Sequence, residues 1–251
     1  MRRLSLSIVL LVSLLAGFGV AKGAATTGLA ACGGAATPAA SSPATPGSQA
    51  AATPPAGQPL RLVADVPLPG GATRFDYQQF DPATNRLYLA HMSDGSLLVF
   101  DVKTRSVVGT VTGLPGVTGV LALPDLGKIY ASVTGDHAVA VIDAKTLAVT
   151  AKVGKISFPD GLDYAPASHQ VFVSDEHGNG ELVIDAKTGK AVTTINLGGE
   201  AGNTHLDPGS GCVLVAVQTR DELAAIDPTT DKIAGQYPLD PGCQGPHRFL
   251  I

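Results

Sequence analysis

Residues 185–195 read DAKTGKAVTTI, and the same plan stands at 101–111 (DVKTRSVVGTV), 143–153 (DAKTLAVTAKV) and 227–237 (DPTTDKIAGQY). The leading aspartates, Asp101, Asp143, Asp185 and Asp227, follow one another at intervals of 42 residues. Pro82, Pro124, Pro166 and Pro208 keep the same step. So do the apolar cores LYLAH, IYASV, VFVSD and VLVAV, which begin at Leu87, Ile129, Val171 and Val213. The chain therefore contains four copies of one unit, and a period of this size is the mark of a stacked or radial repeat fold.

Each copy holds four short runs rich in Val, Ile, Leu and Thr, bounded by Gly, Pro, Asp and Asn, without helical periodicity longer than a turn. In the second copy the spacing predicts strands over 117–122, 128–133, 138–143 and 147–153. Four strands repeated every ~40–45 residues predict a β-propeller whose blades bury their faces against one another. Asp101, Asp143, Asp185 and Asp227 fall where the third strand of a blade turns into the fourth. A carboxylate there accepts backbone N–H bonds, so the repeated Asp is read as turn architecture rather than as an active-site group.

The stretches FDYQQFDPATNRLYLAH (75–91), FPDGLDYAPASHQVFVSDE (158–176), DLGKIYASVTGDHAVAVIDAKT (125–146) and AGNTHLDPGSGCVLVAVQTRDELAAIDPTTDKI (201–233) resemble the YncE-like proteins, the YVTN β-propeller repeat family. The likeness runs over about 58–251. It implies an exported prokaryotic propeller, usually of seven blades, with no catalytic signature common to the family. The chain has no Trp, unlike WD-type propeller repeats, which carry that residue.

The N-terminus points to export. Met1-Arg2-Arg3 is a basic start and 4–20 an apolar core, short and followed by small residues, as in a signal peptide spanning 1–31. LAAC at 29–32 is similar to a lipobox, which makes Cys32 the candidate lipidation site, with cleavage after Gly23 and free secretion as the alternative. Residues 32–57 collapse to Ala, Thr, Pro, Ser, Gly and Gln and cannot bury enough apolar area to order themselves, so they are read as a disordered linker before a propeller domain over 58–251. Residues 1–31 carry Arg2, Arg3 and Lys22 and no acid; without them 14 basic face 21 acidic residues, a formal charge of −7. Such a surface repels phosphates, so nucleic acid is not an expected partner.

The four repeats occupy about 74–239, and the final GPHRFLI (245–251) reads as the first strand of a fifth blade. The chain is accordingly read as an incomplete propeller, with two apolar end faces that favour self-association. Cys212 and Cys243 fall at opposite ends of one sheet, too far apart for a disulfide, so no bond between them is expected.

Two sets of turns open on the mouth of a propeller's channel. They supply Asp76, Thr118, Asp160, Gly202 and, after a three-residue insertion, His247; and His91, Val133, Asp175 and Val217, with Glu176 following Asp175. These positions vary from blade to blade, as ligand-facing positions are free to do. Asp76, His91, Asp160, Asp175, Glu176 and His247 are thus the candidate rim. The preferred function is a binding or scaffold module of the cell envelope, displaying this rim to a protein, peptide or small molecule and needing no cofactor. The alternative is a metal-assisted, lactonase-like hydrolase or lyase using a divalent cation at the mouth. His205 is read as facing the channel. Tyr77, Tyr88, Tyr130 and Tyr164 are read as packing residues. Motifs for serine hydrolases, zinc proteases, redox dithiols, phosphate loops and haem are absent.

Overall fold

The computed structural model describes the backbone of residues 5–7, residue 32 and residues 62–251. The remainder of the expected export signal and linker lies outside the described residues. Ser5–Ser7 (β1) pairs antiparallel with Asp65–Pro67 (β2). All other strands belong to four sheets of four antiparallel strands each.

The first sheet comprises β3 (Gln78–Asp81), β4 (Arg86–His91), β5 (Ser96–Asp101) and β6 (Ser106–Thr112). The second is β7 (Val117–Leu123), β8 (Lys128–Val133), β9 (Ala138–Asp143) and β10 (Val149–Val153), each within two residues of the expected bounds. The third is β11 (Pro159–Ala165), β12 (Gln170–Asp175), β13 (Gly180–Asp185) and β14 (Lys190–Asn196). The fourth is β15 (Ala201–Leu206), β16 (Val213–Val217), β17 (Glu222–Asp227) and β18 (Lys232–Pro238). Each sheet is a meander in chain order, with β3, β7, β11 and β15 innermost.

Period-two alternation sends successive side chains of the middle strands to opposite neighbours. On β8, Ile129, Ala131 and Val133 pack against Tyr88, Leu97 and Val99 of the first blade. Tyr130 on the same strand packs the other way, with Val171, Val173 and Ile184 of the third. On β12, Phe172 faces Val213, Val215 and Ile226 of the fourth. Both faces are buried, and so the second strand of each repeat reads as an unbroken apolar run rather than an alternating one. Truncating one of these Leu or Ile residues to Ala costs about 2–5 kcal/mol. The outermost strands, by contrast, are largely exposed and carry Lys152, Lys190 and Lys232, charges that discourage edge-to-edge pairing.

The hairpins before the outer strands follow the turn reading. The Asp143 carboxylate accepts the N–H of Lys145 at 3.0 Å and of Thr146 at 2.7 Å. Asp185 does the same for Lys187 and Thr188, at 3.1 and 2.7 Å. The residue four after each Asp is left-handed: Arg105 (φ 55°), Leu147 (59°), Gly189 (68°) and Asp231 (55°). Only one of the four is glycine, so the Asp-capped turn holds three bulkier residues in a backbone conformation that disfavours them.

The sheets stack radially. β7 packs against β3 and β11, and β11 against β15. Backbone contacts between inner strands keep the repeat register: Tyr77 N–H donates to Thr118 O at 3.1 Å, and Asn203 N–H donates to His247 O at 2.9 Å. Tyr77 and Asn203 are equivalent positions, so His247 stands beside the fourth blade where Thr118 stands beside the first. The segment 245–251 therefore docks in the place of a fifth innermost strand.

The end faces differ from expectation. Leu89, Leu98 and Phe100 on the outer face of the first blade are buried under Val66, Leu68 and Phe75. On the outer face of the fourth blade, Cys212, Leu214 and Ala225 lie under Phe249 and Cys32. The segments flanking the repeats thus cover the apolar faces that the repeats alone leave open. Cys32 is joined to Cys212 by a disulfide, with Cα atoms 5.0 Å apart, while Cys243 is a free, exposed thiol. Cys212 and Cys243 are unpaired with each other, as their places in the sheet require. The expected lipid on Cys32 meets a covalent obstacle here, since a sulfur in a disulfide cannot also carry a thioether.

Candidate functional site

The innermost strands bring one side chain across the channel from the first blade to the third and fourth. The Tyr77 hydroxyl donates to Asp160 Oδ2 at 3.0 Å, and it also hydrogen-bonds Asn203 Oδ1. Tyr77, Gly119, Gly161 and Asn203 occupy one repeat position, so of these four equivalents only Tyr77 and Asn203 carry side chains, and those two meet. At Gly119 a Cβ would overlap the Asp160 carbonyl oxygen, and only glycine lets β11 approach β7 this closely. Tyr77 was expected to be a packing residue; instead its hydroxyl organises the mouth. Tyr88 and Tyr130 are buried as expected, with the Tyr130 hydroxyl bonded to Ala186 O at 2.9 Å.

Asp160 is almost completely buried, and burial pushes its carboxyl up to about 6 despite the Tyr77 donor, which favours the ionised form. The Tyr77 phenol is itself held well above its usual range, first by burial and then by the neighbouring Asp160 carboxylate. Asp76 sits between two guanidinium groups, with Arg74 Nη2 at 2.8 Å and Arg248 Nη2 at 3.5 Å. Arg248 also lies over the Tyr77 ring, 5.1 Å from its centroid.

Four of the six candidate rim residues converge. Asp76, Asp160, Glu176 and His247 line one cavity of 270 Å³, with Arg74, Arg248, Thr118, Phe158 and His177 completing it. Glu176 accepts a bond from Gln218 Nε2 at 3.3 Å. A neighbouring cavity of 720 Å³ lies between Asp76-Tyr77-Gln78 and the docked Arg248-Phe249-Leu250, and His205 lines it.

The other two candidates do structural work. His91 is fully buried, its ring stacked on Phe75 at 4.0 Å, because residues 70–75 fold over the turn that follows β4. Its Nε2 lies 2.9 Å from Thr73 Oγ1, and Thr73 in turn donates to Asp94 Oδ1 at 2.7 Å. Asp175 turns inward to accept three backbone N–H groups, from Ser157 (2.9 Å), Phe158 (2.8 Å) and Gly178 (2.9 Å). The Asp-x-x-Gly spacing at 175–178 carried that turn signal. Sequence reading missed Arg74, Arg248, Asn203 and Tyr77. The change of residue type at the Tyr77 position, Tyr-Gly-Gly-Asn down the four repeats, was the one clue available to it.

Glu181 was also missed. It is completely buried on β13 at the position that Leu97, Val139 and Leu223 fill in the other blades. Thr204 Oγ1 donates to its Oε1 at 2.9 Å, and Oε2 has no partner. Burial raises its pKa well above the usual carboxyl range, against the Thr204 hydrogen bond, which lowers it. Among the described residues no group of three or more His, Cys, Asp or Glu is arranged to hold a metal ion.

No family model matches this chain, and no curated protein matches it. Its fold is similar to that of Kuenenia stuttgartiensis Hydrazine Synthase, with a TM-score of 0.58 and 17% identity over 64% of this chain. That match covers 48% of the solved chain, so this chain spans about half the length of the one it resembles. At such identity the likeness is one of fold.

Proposed function

We propose that this chain is an exported, YncE-like binding propeller whose ligand enters the channel mouth. One observation carries the reading: the second and third blades, the turn entering the first and the docked 245–251 segment all line the 270 Å³ cavity, and apart from the Asp shared by positions 76 and 160 their residue types change from repeat to repeat. Architecture repeats at every blade; most of the mouth does not. The basic-then-apolar start supports export, and the Cys32–Cys212 disulfide supports an oxidising compartment. The same disulfide favours a free periplasmic or secreted protein over a lipid-anchored one.

The test is an amide-shift titration of the full chain with a pool of small polar compounds and short peptides. Binding at the mouth should move the amides of Thr118, Gly161 and Glu176 and leave the outer strands unmoved. A pool that moves none of them, or only the outer strands, refutes the reading.

A second reading, a hydrolase or lyase at the same mouth, is favoured by Asp160. A buried carboxyl with a pKa of about 6, bonded to a phenol, takes up and releases protons near neutrality, as general acid–base chemistry needs. Stoichiometric metal in the purified protein, lost on Asp160→Ala, would favour the metal-assisted form of this reading.

A further inference from the structure

The mouth carries its charges in two separate groups. Asp160 and Glu176 both come from the third blade, on β11 and just after β12. Arg74 enters the first blade, and Arg248 belongs to the docked C-terminal segment. Tyr77 measures the gap between them, with Arg248 over its ring and Asp160 at its hydroxyl. The cationic and anionic groups thus stand about one tyrosine ring apart.

Neither group is internally neutral. Asp76 is a single acid shared by two arginines, which leaves an excess of one positive charge. Both arginine side chains remain 63% exposed, and a guanidinium has five donors, most of them unused by these pairs. On the opposite side, Asp160 and Glu176 form no ion pair with Lys or Arg among the described residues. Their known partners are the neutral Tyr77 and Gln218. The rings of Phe158 and His177, 4.5 Å apart, wall the acidic side with the kind of surface an alkylammonium group packs against.

Resting on the binding reading above, the geometry points to a small zwitterion as ligand: a free amino acid or short peptide. Its ammonium group sits at Asp160 and Glu176, and its carboxylate at Arg74 and Arg248. Two arginines suit a carboxylate because the guanidinium fork matches its two oxygens. A simple anion would leave the acids unmatched, and a simple cation would leave the arginines unmatched. The 270 Å³ volume lies below the ~300–1,000 Å³ of drug-sized sites, and so suits one or two small residues.

The experiment uses three probes on the full chain by calorimetry: L-alanyl-L-alanine, its N-acetyl derivative and its C-terminal amide. The free dipeptide should bind at least tenfold more tightly than either blocked form. Arg248→Gln, a change at an exposed side chain, should abolish the preference over the amide and keep the preference over the acetyl form. Asp160→Asn, which keeps the side chain's shape, should do the reverse. Equal binding of all three probes, or binding of the blocked forms alone, overturns the zwitterion and leaves the binding mouth standing. No binding by any probe also overturns it, and if the wider pool moves no mouth amide either, the binding reading falls with it.

Discussion

The Tyr77 hydroxyl meets Asp160 Oδ2 at 3.0 Å across 83 residues of sequence and two blade boundaries. Such a contact is available only when consecutive sheets turn about a common axis, so that the first inner strand looks across at the third. It also sets the electrostatics of the mouth, since it places a hydrogen-bond donor against an acid that burial would otherwise keep protonated.

Asp160 should titrate near 6, against ~3.9 in an unfolded chain. A carboxyl with a raised folded pKa binds its proton more tightly folded than unfolded, so stability falls as pH rises from about 4 to about 6 and then levels. The difference amounts to about 3 kcal/mol. Asp160→Asn should flatten this segment of the stability profile. Tyr77→Phe, by removing a donor that favours the ionised form, should move the midpoint higher. NMR of the side-chain carboxyl reads both effects, and a wild-type midpoint near 4 would contradict the burial described.

Glu181 occupies a position that apolar residues fill in the other three blades. Replacing it together with its partner, as Glu181→Leu with Thr204→Val, removes an unpaired buried oxygen without orphaning the hydroxyl. Chemical denaturation at neutral pH should show a gain of about 1–3 kcal/mol. A loss of stability would mean that Glu181 has a partner its present surroundings do not reveal.

The Cys32–Cys212 disulfide spans 180 residues of chain and fastens residue 32 to the outer face of the fourth blade. Loop-closure entropy for so long a span gives an upper figure of about 5 kcal/mol for its loss. Cys32→Ala should therefore lower stability in oxidising buffer and change nothing in reducing buffer. Peptide mapping without reductant should recover the 32–212 pair and a free Cys243. A diacylglyceryl group on Cys32 would be incompatible with that result.

The blades were legible because one physical demand recurs in each of them. A four-stranded sheet buried on both faces needs an apolar second strand and a capped turn before its fourth, and both repeat at 42 residues. The mouth was legible only in outline, because its positions are marked by failing to repeat. Register alone put His91 and Asp175 on the rim; what removed them was a covering segment, 70–75, and a set of backbone donors that no period encodes. Arg248 reaches the site only because the docked 245–251 segment, which is not itself a strand, takes the place of a fifth inner strand. The disulfide lay hidden because one of its cysteines sits in low-complexity sequence with no register to count from.

The most direct measurement is a double-mutant cycle on stability between Tyr77→Phe and Asp160→Asn at neutral pH. Residues in contact couple by about 0.5–3 kcal/mol, whereas sites more than ~10 Å apart add independently within about 0.5 kcal/mol. A coupling energy clearly above 0.5 kcal/mol is expected if the inner strands surround one opening. Strict additivity would place the two side chains apart and with them dissolve the shared mouth.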